Sequence, residues 1–345
     1  MLRLLNPETA HDLTLWALKR GMSPSRPDES DPALAVTLWN RSFDNPIGLA
    51  AGFDKNAAVV GPVFGLGFGF VEIGSVTPRA QPGNPKPRIF RLPEDRGVIN
   101  RLGFNNAGSD AAAESLRKWR EGPLPGPLGV NLGKNRDAED AVGDYLAGAK
   151  ALGGFADYLV INVSSPNTPG LRALQGRSEL DDLIGAIKSA LQENYADKAP
   201  PLVLKIAPDL TDQDMKDIAE VALEHGLDGL TVSNTTITRP DSLRGNDREE
   251  TGGLSGRPLF NLSTRVLGDV YRLTEGRIPL IGVGGVGTGA DAYAKIRAGA
   301  SLVQLYSALV YEGPGLVERI KRDLAQLLRR DGYERVTDAV GAAHR

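Results

Sequence analysis

From residue 47 onward the chain alternates between two hydrophobic patterns. Short, near-continuous apolar runs occupy residues 47–51, 70–74, 128–132, 158–161, 202–206, 229–232, 280–283 and 302–305. An unbroken apolar run is what a strand buried on both faces requires, because neither side of its pleat meets water. Between them lie segments of helical period at 57–64, 111–119, 138–151, 179–193, 212–225, 259–273, 290–297 and 316–329. Eight strands alternating with eight helices predict an α/β fold, a closed (β/α)8 TIM barrel. A doubly wound open sheet is the alternative, since periodicity does not report closure.

The edges of the chain break this rhythm. The predicted organisation is an N-terminal helical extension and linker at 1–34, the barrel at 35–335 and a C-terminal tail at 336–345. Pro7-Glu8-Thr9 opens a helix with proline early and acid in the first turn, and it runs to Lys19-Arg20-Gly21. Leu13, Leu15, Trp16, Ala17 and Leu18, with Met22 beyond, cover more than a narrow stripe. Such a helix either docks on the barrel or lies in a membrane interface with Lys19 and Arg20 toward headgroups. Residues 23–32 form a polar, proline-broken linker. A small hairpin is expected at 36–43, turning at Asn40-Arg41, and another within the insert 78–106, turning at Glu94-Asp95-Arg96-Gly97. A second insert, 239–256, is polar, glycine-rich and expected to lack structure of its own, as a lid would. Residues 166–176 share that character and would close over Ser165.

Composition narrows the chemistry. With 41% hydrophobic and 24% charged residues, the chain is an ordinary globular protein with a full core. A net charge of −3 gives a nucleic-acid role no electrostatic support. The absence of cysteine excludes disulfides, thiolate metal sites and a cysteine base. His11, His225 and His344 are too scattered to suggest a metal centre. No apolar stretch approaches the roughly 18 residues needed to span a bilayer. With no secretory signal pattern, a cytoplasmic location is expected.

If the barrel closes, function should collect at the carboxyl ends of its strands. Those ends carry Lys55, then Ser75 and Thr77, Asn131, Asn162 through Asn167, Lys205, Ser233-Asn234-Thr235, Gly284-Gly285 and Tyr306-Ser307. The run from Gly282 to Gly287 leads into a helix beginning near Thr288, and with Ser307 it reads as the phosphate cradle built by the last two loops of a barrel. Lys55 and Lys205 lie in apolar surroundings, where an ammonium is costly unless it meets an anion. Either could form a Schiff base, or hold a carboxylate, a phosphate or a reduced flavin ring. Asn100, Asn131, Asn162, Asn167 and Asn234 offer paired donors and acceptors suited to a planar heterocyclic amide or imide.

Eight segments carry a resemblance to a known family, in order along most of the barrel. They run from Asn45 to Lys55, Gly74 to Pro78, Asn100 to Asn106, Asn162 to Thr168, Lys205 to Asp209, Ser233 to Thr236, Gly252 to Gly256 and Gly282 to Gly285. The chain resembles dihydroorotate dehydrogenase. Serine at 165, together with the N-terminal helix, resembles the quinone-linked class 2 branch. The resemblance implies one FMN held by Ala51, Gly52, Phe53, Asp54, Lys55, Ser75, Asn131, Asn162, Lys205, Ser233, Gly256, Gly285, Tyr306 and Ser307. It implies dihydroorotate held by Lys55, Asn100, Arg101, Leu102, Gly103, Phe104, Asn162, Asn167, Asn234 and Thr235, with orotate as the product. Ser165 would take the C5 proton through a hydroxyl or water relay while C6 passes hydride to the flavin, and Lys205 would offset charge on the flavin. Electrons would leave to ubiquinone or menaquinone through an entrance lined by His11, Arg91 and Tyr306. The resemblance further implies a monomer held peripherally on the cytoplasmic side of the cell membrane. The family's N-terminal extension is a helical pair, whereas residues 23–31 carry two prolines where its second helix would lie. A barrel lyase working through a lysine Schiff base, and a non-catalytic flavin-binding protein, are the rival readings.

Overall fold

The computed structural model describes residues 4–22 and 31–345. The linker, and with it the position of the family's second helix, therefore lies outside the described residues except for Asp31 and Pro32. Eight parallel strands close on themselves: β1 (Ile47–Leu49), β2 (Phe70–Val76), β3 (Leu128–Leu132), β4 (Tyr158–Asn162), β5 (Leu202–Ile206), β6 (Gly229–Val232), β7 (Leu280–Val283) and β8 (Ala300–Leu305). Each pairs with its neighbours in sequence, and β8 pairs with β1 through Val303–Ile47, Gln304–Gly48 and Leu305–Leu49. That last pairing excludes the open sheet. β1 ends at Leu49, earlier than its apolar run suggests, because Gly52 turns inward at φ +107° and donates to the Gly74 carbonyl at 2.7 Å.

The two ends of the barrel differ. At the amino-terminal end, the strands Val36–Leu38 and Arg41–Phe43 pair as a hairpin whose turn is Trp39-Asn40, both at positive φ, one residue earlier than expected, and its aromatics seal the opening. Trp39 lies 5.2 Å from Tyr158 and donates its indole N–H to the Asp228 carbonyl at 2.8 Å, while Phe43 meets Phe70 edge-on at 5.5 Å. Phe70 and Tyr158 turn inward at the starts of β2 and β4, and the space they need is left by Gly48 and Gly129. The carboxyl-terminal end is open and polar.

The insert after β2 forms the expected hairpin, Ile89–Leu92 with Gly97–Asn100. The second insert departs from expectation. It is not structureless throughout: Gly253–Gly256 adds a third antiparallel strand beside Gly97–Asn100. The gain is a small apolar core of Phe90, Leu92, Ile99, Leu243 and Leu254, which neither insert could bury alone. Two further features were not anticipated. A short helix, Ser307–Glu312, follows β8, and a 3-10 turn, Leu171–Gln175, lies in the loop after β4. Residues 336–345 pack on the barrel, with Val336 and Ala339 buried and His344 stacked 5.3 Å from Tyr271.

A Cβ placed on Gly129 would lie 2.2 to 2.6 Å from the Tyr158 ring and hydroxyl. Gly129→Val should therefore overpack the sealed end and cost about 1–3 kcal/mol. The check is the urea midpoint, which should fall with the m-value unchanged; an unshifted midpoint would show that the aromatic plug has room to move.

Candidate active site

At the carboxyl-terminal mouth lies a cavity of about 1350 Å³, continuous from the loops after β7 and β8 to the underside of the N-terminal helix. Most of the residues singled out in the sequence meet there. Ala51, Gly52, Phe53 and Lys55 line it from the β1 loop, Ser75 from β2, and Asn162, Ser165 and Asn167 from β4 and its loop. Lys205, Ser233, Asn234 and Thr235 line it from β5 and β6; Gly256, Gly285, Tyr306 and Ser307 line the far end; and Asn100, Leu102, Gly103 and Phe104 form the lip. Four others do not line it, and of these Thr77 is buried with its hydroxyl donating to the Arg79 carbonyl at 2.7 Å. Asp54 is buried beneath, accepting N–H bonds from Ala58 and Val59 at 2.8 Å, and so shapes the loop that presents Lys55. Asn131 lies one layer below the floor. Arg101 turns away, stacking 4.5 Å over Phe90 and pairing with Glu250 at 2.6 Å.

The floor is a hydrogen-bonded lattice. Asn131 Oδ1 accepts from the Ser75 hydroxyl and from Asn162 Nδ2, and Asn162 Nδ2 also reaches Ser75 Oγ at 2.9 Å. Asn131 Nδ2 donates to Glu72 Oε1 at 2.9 Å, which fixes which way its amide faces. Asn162 Oδ1 accepts from Ser164 Oγ at 2.9 Å, and Asn234 Nδ2 donates to the same hydroxyl at 3.0 Å. The amides therefore reach the cavity in set orientations. Lys205 enters it from β5 and has no hydrogen bond to protein among the described residues. Burial holds its pKa below the ordinary lysine value against the opposing charge of Glu72.

The loop after β4 is held down by one side chain. Arg172 donates to the Ser164 carbonyl at 3.1 Å, to the Thr235 carbonyl at 3.1 Å and to Asp209 at 2.9 Å, tying the ends of three strands together. Asn167 adds a link across the mouth, donating to the Asn100 carbonyl at 3.1 Å. Beneath this cover Ser165 is 6% exposed, its hydroxyl accepting from the Asn167 N–H at 3.3 Å. At the far end Gly284 and Gly285 run at φ +106° and +78°, and a side chain on Gly285 would collide with the Phe260 backbone. Main chain thus lines the cavity where a side chain could not fit.

The N-terminal helix, Pro7–Lys19, closes the other side. Glu8 pairs with buried Arg88 at 2.8 Å; burial pushes the Glu8 carboxyl up, but Arg88 outweighs that and leaves it lowered. His11 meets Phe53 edge-on at 5.3 Å, and Phe53 meets Tyr306 in the same way at 5.6 Å. Arg91 donates to the Leu5 carbonyl at 2.8 Å. Lys55 donates to the Gly52 carbonyl at 2.7 Å, and burial with the nearby Arg88 charge brings it down to about 8. Leu4, Leu5, Leu13, Trp16 and Met22 are exposed, and Leu13, Trp16 and Met22 lie along the open side of the cavity.

Sequence reading missed Glu72 and Arg172. Glu72 was the legible one: a charge within the otherwise apolar run Phe70-Val71-Glu72-Ile73 has to be doing something inside a barrel.

Fold and site together define a (β/α)8 barrel with a polar ligand cavity at its carboxyl-terminal mouth and an appended N-terminal helix. Residues 33–328 match the family model described as Dihydroorotate dehydrogenase. The "Dihydroorotate dehydrogenase (quinone)" of Azorhizobium caulinodans is 60% identical over 343 residues, 99% of this chain and 96% of that protein. The protein of the same name from Rhodospirillum rubrum is 61% identical over 341 residues, 99% of this chain and 92% of its own length. A crystal structure of DHODH from Eimeria tenella in complex with ferulenol superposes with a TM-score of 0.95 at 48% identity, covering 98% of this chain and 96% of that one. The chain belongs to the dihydroorotate dehydrogenase family, in its class 2, quinone-linked branch.

Burial, with the Lys55 charge adding to it, depresses His11 from 6.5 to about 4. The folded state thus binds the proton less readily than the unfolded one. The contribution of a neutral His11 to helix docking is complete above pH 6.5 and is lost as pH falls toward 4. Amide exchange of residues 7–19, corrected for intrinsic rates, should be faster at pH 5 than at pH 7, and His11→Gln should flatten that difference. Equal protection at both pH values in the parent protein would mean that His11 is not held neutral.

Proposed function

We propose that the chain oxidises dihydroorotate to orotate with a quinone as final electron acceptor, the oxidative step of pyrimidine biosynthesis. The observation that carries this reading is the convergence of a covered serine hydroxyl, an ammonium with no hydrogen bond among the described residues and an array of fixed amides on one cavity, which also opens beneath the N-terminal helix. FMN fits this donor set, and when bound it would supply the hydride acceptor. Its phosphate suits the main-chain lining at Gly284 and Gly285, and its ring suits Ser75, Asn162 and Lys205.

The chain's own side chains supply the rest. Lys205 places positive charge where negative charge develops, an electrostatic role that needs no movement. Asn100, Asn162, Asn167 and Asn234, with Thr235, match the alternating C=O and N–H groups of a pyrimidine dione, and Lys55 suits its carboxylate. Ser165 Oγ takes the proton from C5 of the substrate. A hydroxyl is a poor base near neutral pH, so the proton must pass on through a relay with bulk water kept out. The Arg172 ties support that covered state. The quinone entrance is assigned between the N-terminal helix and the barrel, at His11, Arg91 and Tyr306. Exposed Leu4, Leu5, Leu13, Trp16 and Met22 support peripheral contact of a monomer with the membrane surface on the cytoplasmic side. Among the described residues no helix is long and apolar enough to cross a membrane.

Anaerobic dihydroorotate should bleach the visible band of the purified yellow protein, and ubiquinone or menaquinone should restore it while fumarate and NAD do not. A colourless protein that traps substrate with borohydride would replace this reading with a Schiff-base lyase. Ser165→Ala should keep its flavin yet bleach at least ~100-fold more slowly, the scale of lost general-base catalysis; unimpaired bleaching removes Ser165 from the mechanism. Removing residues 1–30 should slow reoxidation by quinone more than bleaching by dihydroorotate, and equal loss in both would make the helix purely structural.

A further inference from the structure

Lys295 has no place in the site described so far. It lies in the helix Gly289–Arg297 that follows β7 and is fully buried. Its ammonium donates to two hydroxyls, Ser263 Oγ at 2.9 Å and Thr264 Oγ1 at 3.1 Å, and stands 5.3 Å from the Phe260 ring. Ser263 and Thr264 belong to the opening of the helix Phe260–Leu273, the end at which unpaired N–H groups carry partial positive charge. A cation has thus been buried against the positive end of a helix, and among the described residues no carboxylate is bonded to it. The charge that bears on it is Asp291 on its own helix, and that carboxylate is engaged by the Gly287 N–H at 3.0 Å. Such an arrangement is unfavourable unless an anion arrives nearby.

The connection to the cavity is short. Ser263 Oγ donates onward to the Gly284 carbonyl at 3.0 Å, and Gly285 lies against the Phe260 backbone. Lys295 therefore stands one hydrogen-bonded step behind the main chain that lines the far end of the cavity. We infer that Lys295 is a positioning residue for the flavin phosphate, a charge held behind the Gly284–Gly285 loop that makes the site select FMN over riboflavin. The inference rests on the FMN reading above. Burial pulls Lys295 down to about 7 in the absence of an anion, so a dianion in the cradle would also draw a proton onto it.

The rival role is mechanical, a stitch between two helices whose loss would weaken both flavins alike. Holoenzyme is equilibrated with mixtures of FMN and riboflavin, separated from free flavin, and its bound flavins are quantified by chromatography. Lys295→Gln, which keeps a donor and removes the charge, should lower the retained FMN-to-riboflavin ratio at least tenfold. An unchanged ratio, including one in which both flavins are lost equally, overturns the inference. Should the variant fail to fold, the wild-type enzyme answers the question by itself. A phosphate monoester is dianionic above its second pKa of about 6. Protonated Lys295 is the form favoured by phosphate, so selectivity is full below the unliganded value and declines as pH rises from 7 toward 9. The groups facing Lys295 from Phe260–Leu273 are hydroxyls and a ring, leaving Asp291 as the other charge nearby. A ratio that stays flat from pH 7 to 9 also overturns the inference. A wild-type protein that retains both flavins equally defeats the FMN reading instead.

Discussion

Inside the barrel, Glu72 on β2 accepts hydrogen bonds from Asn131 on β3, Tyr158 on β4 and Gln304 on β8, at 2.9, 3.3 and 2.6 Å. A carboxylate with no solvent exposure is tolerated only because those donors replace water. The dependence runs both ways. An apolar residue at 72 would strand three buried donors, each costing about 1–3 kcal/mol. It would also free the Asn131 amide to rotate, and with it the orientation of Ser75 and Asn162 on the cavity floor. The polar mouth is therefore set from within the core, by a residue that never reaches the cavity.

Above that floor, order depends on ties between strand ends. A parallel barrel directs eight loops to one rim, and nothing in the strand pairing decides how those loops sit relative to one another. Arg172 makes that decision for three of them. Its planar guanidinium has enough fixed donors to hold two carbonyls and the Asp209 carboxylate at once. Asp209 in turn accepts from the Thr236 hydroxyl and the Ile237 N–H, so the loop after β6 is drawn into the same knot. Ser165 is enclosed beneath neighbours that these ties hold in place.

The barrel and the rim residues were legible because both follow from local patterning. A strand buried on both faces must be apolar, and the first polar residues after it must lie at its end. Glu72, Gln304 and Lys295 escaped because they interrupt elements rather than ending them, and a single polar residue in a strand or helix does not reveal which distant group it meets. The strand Gly253–Gly256 escaped for a different reason. Two of its four residues are glycine, and its partner at Gly97–Asn100 is about 150 residues away, so only the shared apolar cluster around Leu254 makes it a strand. Asp54 and Arg101 came from the family resemblance, and their side chains turn to backbone N–H groups and to Glu250.

The far wall of the cavity obeys another physical rule. Where the N-terminal helix meets the barrel, the Glu8–Arg88 ion pair and the Arg91–Leu5 hydrogen bond are joined by edge-to-face rings, His11 on Phe53 and Phe53 on Tyr306, and the two titratable rings are both pushed toward neutrality. Burial and the Lys55 charge bring His11 down to about 4, and burial takes Tyr306 up to about 12. A wall of neutral aromatic edges suits an uncharged, apolar ring and offers little to a charged pyrimidine. The amide-rich floor offers the reverse. This change in polarity along one continuous cavity supports the proposal that a polar electron donor and an apolar acceptor take different ends of it.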